Sequence, residues 1–190
     1  MMHRKPGRLR IIGGYWRRRL IPVPDIPGVR PTHDRIRETL FNWLMPYIQG
    51  AHCLDLFAGS GILGFEALSR GAKHVSFVDK DTKVIYHLKN IAEKFELSAE
   101  TIEIIQGTCL EAPLSLSFYP YDIIFLDPPF HDARLLELIT WLNTNKYLAE
   151  SALIYVEMKR QPQSAKFPGW CQLKEGHTMN ISYYLLRRET

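Results

Sequence analysis

Asp55-Leu56-Phe57-Ala58-Gly59-Ser60-Gly61-Ile62-Leu63-Gly64 is the stretch that decides the fold. His52 to Phe57 is a short apolar run that reads as a strand, and Ile62 to Arg70 reads as a helix ended by Gly71. Between them, Gly59, Gly61 and Gly64 match G-x-G-x-x-G. A glycine triplet alone also suits any close-packed strand-to-helix turn. Asp79 adds a second signal: it lies eighteen residues after Gly61, at the end of the next apolar run. A carboxylate belongs there when a ribose is bound next to the loop. The pair points to a site for a nucleoside cofactor.

Working outward, strand-like and helix-like segments alternate. His74 to Val78 reads as a strand, Thr82 to Phe95 as a helix and Thr101 to Gln106 as a strand. Tyr121 to Leu126 is a strand, Ala133 to Asn143 a helix and Ala152 to Val156 a strand. Such alternation predicts an α/β, Rossmann-like fold with mostly parallel strands and helices on both faces. Cys171 to Lys174 and Ile181 to Leu186 flank a polar turn and read as a closing hairpin. Upstream, Thr32 or Asp34 can cap a helix from Arg35 to Met45, stopped by Pro46. Leu40, Phe41, Leu44 and Met45 form its apolar stripe, which leaves Arg35, Arg37 and Asn42 on the polar side.

The chain has 190 residues and a formal charge of +4. That charge is uneven. Residues 1–37 carry ten Arg or Lys against Asp25 and Asp34, and the remainder is net acidic. Isoleucines 11 and 12, Tyr15, Trp16, Leu20 and Ile21 interleave with the arginines, which suggests a folded basic surface rather than a solvated arm. Ile11-Ile12 and Leu20-Ile21 are placed to form a small hairpin around Gly13-Gly14. A surface of this kind attracts a polyanion through counterion release. The reading is therefore a basic N-terminal extension over residues 1–34 and a catalytic domain over residues 35–190. No apolar run approaches the ~20 residues that span a bilayer, and no signal-peptide pattern is visible. Cys53, Cys109 and Cys171 are too few for a disulfide framework. A cytoplasmic monomer without membrane contact is the expectation.

Asp55 discriminates between cofactors. In a dinucleotide site two phosphate charges occupy the glycine loop. A carboxylate a few ångströms from them would cost about 1 to 4 kcal/mol, depending on the effective dielectric. S-adenosylmethionine has no phosphate and carries a sulfonium and an ammonium, which a carboxylate favours. Asp55, Phe57, Ala58, Gly59, Ser60 and Gly61 then form its loop, and Asp79 takes the ribose hydroxyls. A plain helix cap is the bland alternative for Asp55.

Tyr121 to Leu126 leads into Asp127-Pro128-Pro129-Phe130. In an open α/β sheet the carboxyl ends of the strands face the ligand crevice. An exocyclic base amine is a poor nucleophile, because its lone pair is delocalised into the ring. Two acceptors, the Asp127 carboxylate and the Pro128 carbonyl, can take its two N–H bonds and aim the lone pair at a methyl donor. Phe130 offers a face on which the base stacks. This chemistry requires no metal and no covalent intermediate. A simple Pro-Pro turn is the competing reading.

These motifs resemble the bacterial methyltransferases that act on a guanine N2 of 16S ribosomal RNA, the RsmD type. The likeness runs over nearly the whole chain: Arg10-Ile11-Ile12-Gly13-Gly14, Arg30-Pro31-Thr32, Arg37-Glu38-Thr39-Leu40-Phe41-Asn42-Trp43, the Asp55 to Gly61 loop, Leu68-Ser69-Arg70-Gly71-Ala72, Asp127 to Phe130 and Ala152 to Glu157. The first two blocks are the more particular to that family. The resemblance implies a class I methyltransferase fold, with a seven-stranded sheet closed by an antiparallel hairpin. It implies S-adenosylmethionine as cofactor, and as substrate a guanine of 16S ribosomal RNA in a small subunit already largely assembled. Asp127, Pro128, Pro129 and Phe130 would be catalytic. Lys80, Gly107, Thr108 and Cys109 would join the cofactor residues. Arg10, Arg17, Arg18, Arg19, Arg30, Thr32, Arg35 and Arg37 would meet RNA. Two positions depart from the pattern. Arg18 stands where glycine is usual, which leaves room for a different backbone there. Gln106-Gly107-Thr108-Cys109 replaces an acid or amide that accepts from the adenine amino group.

Other readings stay open. A DNA adenine or cytosine N-methyltransferase shares the catalytic motif but usually needs a separate recognition domain. A protein-glutamine methyltransferase poses the same nitrogen problem without needing a basic arm. A NAD-dependent oxidoreductase is disfavoured by Asp55. A pure RNA-binding module leaves Asp127 to Phe130 unexplained. His33 and His131 read as surface histidines. Trp43 and Trp141 read as core. Trp16 either packs beneath the basic face or touches RNA, and Glu157 either lines the crevice or joins a sheet-edge salt bridge.

Overall fold

The computed structural model describes residues 7–24, 34–108, 116, 120–128, 134–144, 147–161 and 165–189. Seven strands form one sheet: β3 (His52–Asp55), β4 (His74–Asp79), β5 (Ile102–Gln106), β6 (Tyr121–Leu126), β7 (Leu148–Lys159), β8 (Trp170–His177) and β9 (Ile181–Arg188). Their order is β5-β4-β3-β6-β7-β9-β8. The first five in that order run parallel, and β9 is antiparallel to both neighbours. The expected parallel sheet with an antiparallel closing hairpin is present.

Alternation along the strands sorts side chains into two cores. Cys53, Ile123 and Phe125 face one core, together with α1 (Asp34–Leu44), α2 (Ile62–Ser69) and α3 (Thr82–Lys94). Leu54, Ile124 and Leu126 face the other, with α4 (Leu135–Thr144). Helices therefore cover both faces. The Asp81 side chain caps α3 by accepting from the Lys83 N–H at 2.8 Å. Trp43 is partly buried and lies 5.5 Å from Tyr183, and Trp141 packs against the second core. Among the described residues, no helix is long and apolar enough to cross a membrane.

The N-terminal hairpin exists and its second strand contains Leu20-Ile21 as expected, but its first strand lies earlier than Ile11-Ile12. β1 (Arg8–Arg10) pairs with β2 (Leu20–Pro22), so that Leu9 faces Ile21 and both are buried. Ile11 and Ile12 lie beyond the first strand instead of within it. The reason is competition from α2: the Ile12 and Gly13 N–H groups donate to the Glu66 carboxylate at 2.7 and 2.8 Å. Leu9, Ile11, Trp16 and Ile21 share the core of α1, α2 and α3. Trp16 packs beneath the basic face, 4.8 Å from Phe95. Arg18 has φ +72, so the chain there takes the left-handed path that glycine favours, despite the bulkier residue.

Candidate active site

The chain steps outward from β3 to β4 and β5, then returns to place β6 on the other side of β3. A crevice opens at such a reversal, outside the carboxyl ends of the strands. Asp55 ends β3 and pairs with Phe77 of β4 and Phe125 of β6. The glycine loop is tied to both neighbours: Leu56 N–H donates to the Phe125 carbonyl at 3.2 Å, and Ala58 N–H to the Val78 carbonyl at 3.0 Å. Phe57 is half-buried, whereas Ala58 and Ser60 are buried. Gly64 lets α2 press onto the sheet, since a Cβ there would lie 2.2 Å from the Phe77 ring.

Asp79 ends β4. One of its oxygens accepts from the Gly59 N–H at 3.0 Å and the other from the Asp81 N–H at 2.9 Å. A carboxylate has about four acceptor positions, so this one keeps capacity for hydroxyl donors. Gly107 N–H donates to the Asp79 carbonyl at 3.0 Å, which brings the end of β5 to the same edge. Thr108 follows, and its Oγ1 is buried with no partner among the described residues. Lys80 is exposed. Cys109 lies outside the described residues.

Asp55 is buried, and its carboxylate accepts from the Gly64 N–H at 3.3 Å. Burial raises its pKa to about 7; the Gly64 N–H opposes the shift and the Asp79 charge adds to it. Such a carboxyl is stabilised in its charged form by a cation entering the crevice.

Asp127 and Pro128 follow β6 directly, Asp127 half-buried and Pro128 buried. Asp127 lies two residues beyond the strand partner of Asp55. At ordinary strand spacing, that puts the two Cα positions roughly 8 Å apart. Pro129 and Phe130, the expected stacking corner, lie outside the described residues. On the adjacent β7, the buried Tyr155 hydroxyl donates to Glu157 at 2.9 Å. The tyrosine pKa is pushed well up by burial, then by the charges of Glu157 and Asp127. Glu157 therefore belongs to the acidic surroundings of the crevice.

The described part of the basic segment, residues 7–24, is folded onto the core, as its interleaved apolar residues suggested. Arg10, Arg17, Arg18, Arg19 and Arg35 are exposed. Arg30, Thr32, His33 and His131 lie outside the described residues. Arg37 requires correction: it is fully buried rather than on the polar side of α1. Its guanidinium bonds to Asp34, donates to the Arg10 carbonyl at 3.0 Å and lies 3.5 Å from the buried Glu66 carboxylate. An RNA phosphate cannot reach it there. Arg10, Arg17 and Arg18 line a cleft of about 310 Å³ with Asp34 and Glu38, so part of the positive charge is internally compensated.

Sequence reasoning missed Glu66. It accepts from Ile12, Gly13 and Arg70, and pairs with Arg37. The available signal was an acid alone within Ile62-Leu63-Gly64-Phe65-Glu66-Ala67-Leu68, a helix otherwise without charge.

This strand order, with a glycine turn after β3 and an acid-proline corner after β6, defines a class I methyltransferase fold. Residues 9–187 match the family described as Conserved hypothetical protein 95. The Ribosomal RNA small subunit methyltransferase D of Haemophilus influenzae is 46% identical over 180 residues, covering 94% of this chain and 93% of that protein. Its counterpart of the same name from Escherichia coli K12 is 44% identical over 189 residues, covering 98% and 93%. The solved structure of the Escherichia coli yhhF protein superposes with a TM-score of 0.86 at 42% identity, covering 96% of this chain and 99% of that one. The chain belongs to the Conserved hypothetical protein 95 family, and over nearly its full length it is a relative of the ribosomal RNA small subunit methyltransferases D. That is the group to which its motifs pointed.

Proposed function

We propose that this protein transfers a methyl group from S-adenosylmethionine to the exocyclic N2 amine of a guanine in 16S ribosomal RNA. The observation that carries this reading is the meeting of the Asp127-Pro128 corner with the Asp55 and Asp79 carboxylates at one sheet edge. The names of the two curated relatives support the RNA class. The N2 position rests on the amine-acceptor chemistry of the corner and on the motif resemblance.

The residues fit the cofactor. Asp79 keeps acceptor capacity for ribose hydroxyls, and Thr108 Oγ1 is a buried polar atom without a protein partner. Asp55 supplies a carboxylate that a cation stabilises. When bound, S-adenosylmethionine supplies an activated methyl group on a sulfonium. Asp127 and the Pro128 carbonyl accept the two N–H bonds of the base amine and hold its lone pair toward the crevice. The Asp127 carboxylate also stabilises positive charge as it develops on the nitrogen, and its Oδ atoms accept the proton that leaves. Phe130 supplies the stacking face. The exposed arginines of the hairpin bind the phosphate backbone, with the small subunit largely assembled, and the protein acts as a cytoplasmic monomer.

Mass spectrometry of 16S ribosomal RNA from cells with and without the gene tests the assignment. One N2-methylguanine should disappear with the gene and return with it. Asp127→Ala should abolish its return while S-adenosylhomocysteine still binds in calorimetry. Full methylation by that variant would refute the acceptor role.

A further inference from the structure

We infer that Tyr15 is a stacking platform for a nucleobase of single-stranded RNA, one other than the base that is methylated. The inference rests on the reading of this protein as an RNA methyltransferase. Tyr15 is 89% exposed, yet it sits on an immobilised backbone. Its N–H donates to the Ser69 carbonyl at 2.7 Å. On either side, the Gly13 N–H donates to Glu66, the Ser69 hydroxyl donates to the Gly13 carbonyl at 2.6 Å, and the Trp16 N–H donates to the Ser69 hydroxyl at 2.9 Å. Gly14 packs so closely on α2 that a Cβ there would fall 1.8 Å from the Ser69 carbonyl oxygen.

A flexible loop gains little from an aromatic ring, because binding must first order it. Here the ordering is complete before a ligand arrives. The ring touches the core nowhere near as much as Trp16 does, and burying its exposed face requires a partner. The chemistry of that partner is set by the neighbours. Arg17 and Arg18 are exposed within three residues, and Arg19 is exposed with its guanidinium 5.3 Å from the Phe95 ring centre. Cations beside a rigid, accessible aromatic ring suit a strand that carries phosphates and unpaired bases.

The position also says which base. Ser69 ends α2, whereas the glycine loop precedes its start at Ile62. Eight helical residues span about 12 Å, and Tyr15 is tied to the end of α2 far from the glycine loop, so a base on it is not the one held in the crevice. Tyr15 therefore anchors a flanking nucleotide and sets the register of the strand over the crevice.

Two fluorescein-labelled probes of equal charge test this: a 12-nucleotide oligoadenylate RNA and an abasic ribose-phosphate oligomer of the same length. Tyr15→Ala should weaken oligoadenylate binding by roughly 5- to 100-fold. It should leave the abasic oligomer, the salt dependence of binding and the thermal midpoint unchanged. Tyr15→Phe should bind as the wild type does. Arg17→Ala, in contrast, should weaken both probes and flatten the salt dependence. Unchanged oligoadenylate binding by Tyr15→Ala overturns the inference, as does equal weakening of both probes. If the wild type binds neither oligoadenylate nor small subunits lacking the methyl group, the RNA reading itself falls and takes the inference with it.

Discussion

Asp55→Asn should make the ligand-free protein more stable at pH 8 and leave it no more stable at pH 5. Burial lifts the Asp55 carboxyl from 3.8 to about 7. Between those values the native state holds a proton that the unfolded chain has released. Stability therefore falls as pH rises through that window and levels off above about 7. At 1.36 kcal/mol per unit, the full effect is roughly 4 kcal/mol. Asparagine removes the charge and still accepts from the Gly64 N–H, but its amide N–H₂ needs a partner, so about half of that gain is expected. At roughly 2 to 4 °C per kcal/mol for a chain of this size, the melting midpoint at pH 8 should rise by roughly 4 to 8 °C. Scanning calorimetry of both proteins from pH 5 to 8 isolates Asp55, because groups that do not interact with it cancel in the difference. A difference that does not vary with pH would refute the buried, elevated carboxyl. The same carboxyl should be driven to its charged form by S-adenosylmethionine. Titration near pH 6.5 in buffers of different ionisation enthalpy should thus show proton release by the wild type and none by Asp55→Asn.

Three further outcomes follow from the packing. Gly64→Ala forces a methyl into the Phe77 ring and should destabilise by about 1 to 3 kcal/mol, read from urea unfolding. Arg18→Gly relieves a left-handed conformation and should raise stability by about 0.5 to 1 kcal/mol, while weakening RNA binding through the lost charge. Glu66→Gln leaves the buried Arg37 with Asp34 as its nearer acid and should cost about 3 kcal/mol. Limited proteolysis of that variant should cut within residues 11–19 before any other described segment.

The local signals were legible where they depend on neighbours in sequence. The glycine fingerprint, the Asp79 spacing and the strand–helix alternation all placed their elements within a few residues. β7 is longer than the apolar run at Ala152 to Val156, because Leu148 pairs with Tyr121 of β6 at one end and Glu157 to Lys159 pair with β9 at the other. Arg37 was misplaced for a different reason. Its helix position alternates with charged residues, and its burial depends on partners distant in sequence, the Glu66 carboxylate and the Arg10 carbonyl, as well as on Asp34. The first strand of the hairpin was misplaced in the same way. Ile11-Ile12 has the character of a strand, and Ile11 N–H still donates to the Arg19 carbonyl, but the next two amides, those of Ile12 and Gly13, go to the Glu66 carboxylate. Arg18 shows the converse: a bulky residue holds the left-handed conformation that glycine favours, since the bonds from Arg18 N–H to the Ile11 carbonyl and Arg19 N–H to the Trp16 carbonyl fix the turn.

One helix joins the two halves of the proposed reaction. The start of α2 follows the glycine loop, and its Gly64 N–H reaches Asp55. Its middle and end hold the hairpin through Glu66 and Ser69. A helix of eight residues is short enough to behave as a rigid strut, with all eight of its residues buried. A displacement of the basic loop would therefore have to break the Glu66 and Ser69 bonds or drag α2 across Phe77, where Gly64 leaves no clearance. The distance between the exposed hairpin arginines and the crevice is set by this strut rather than by the length of the intervening chain. On the proposed function, an RNA strand bound at the hairpin would meet the Asp127 corner at a fixed offset, and selection among nucleotides would be a matter of which base lies that far along the strand.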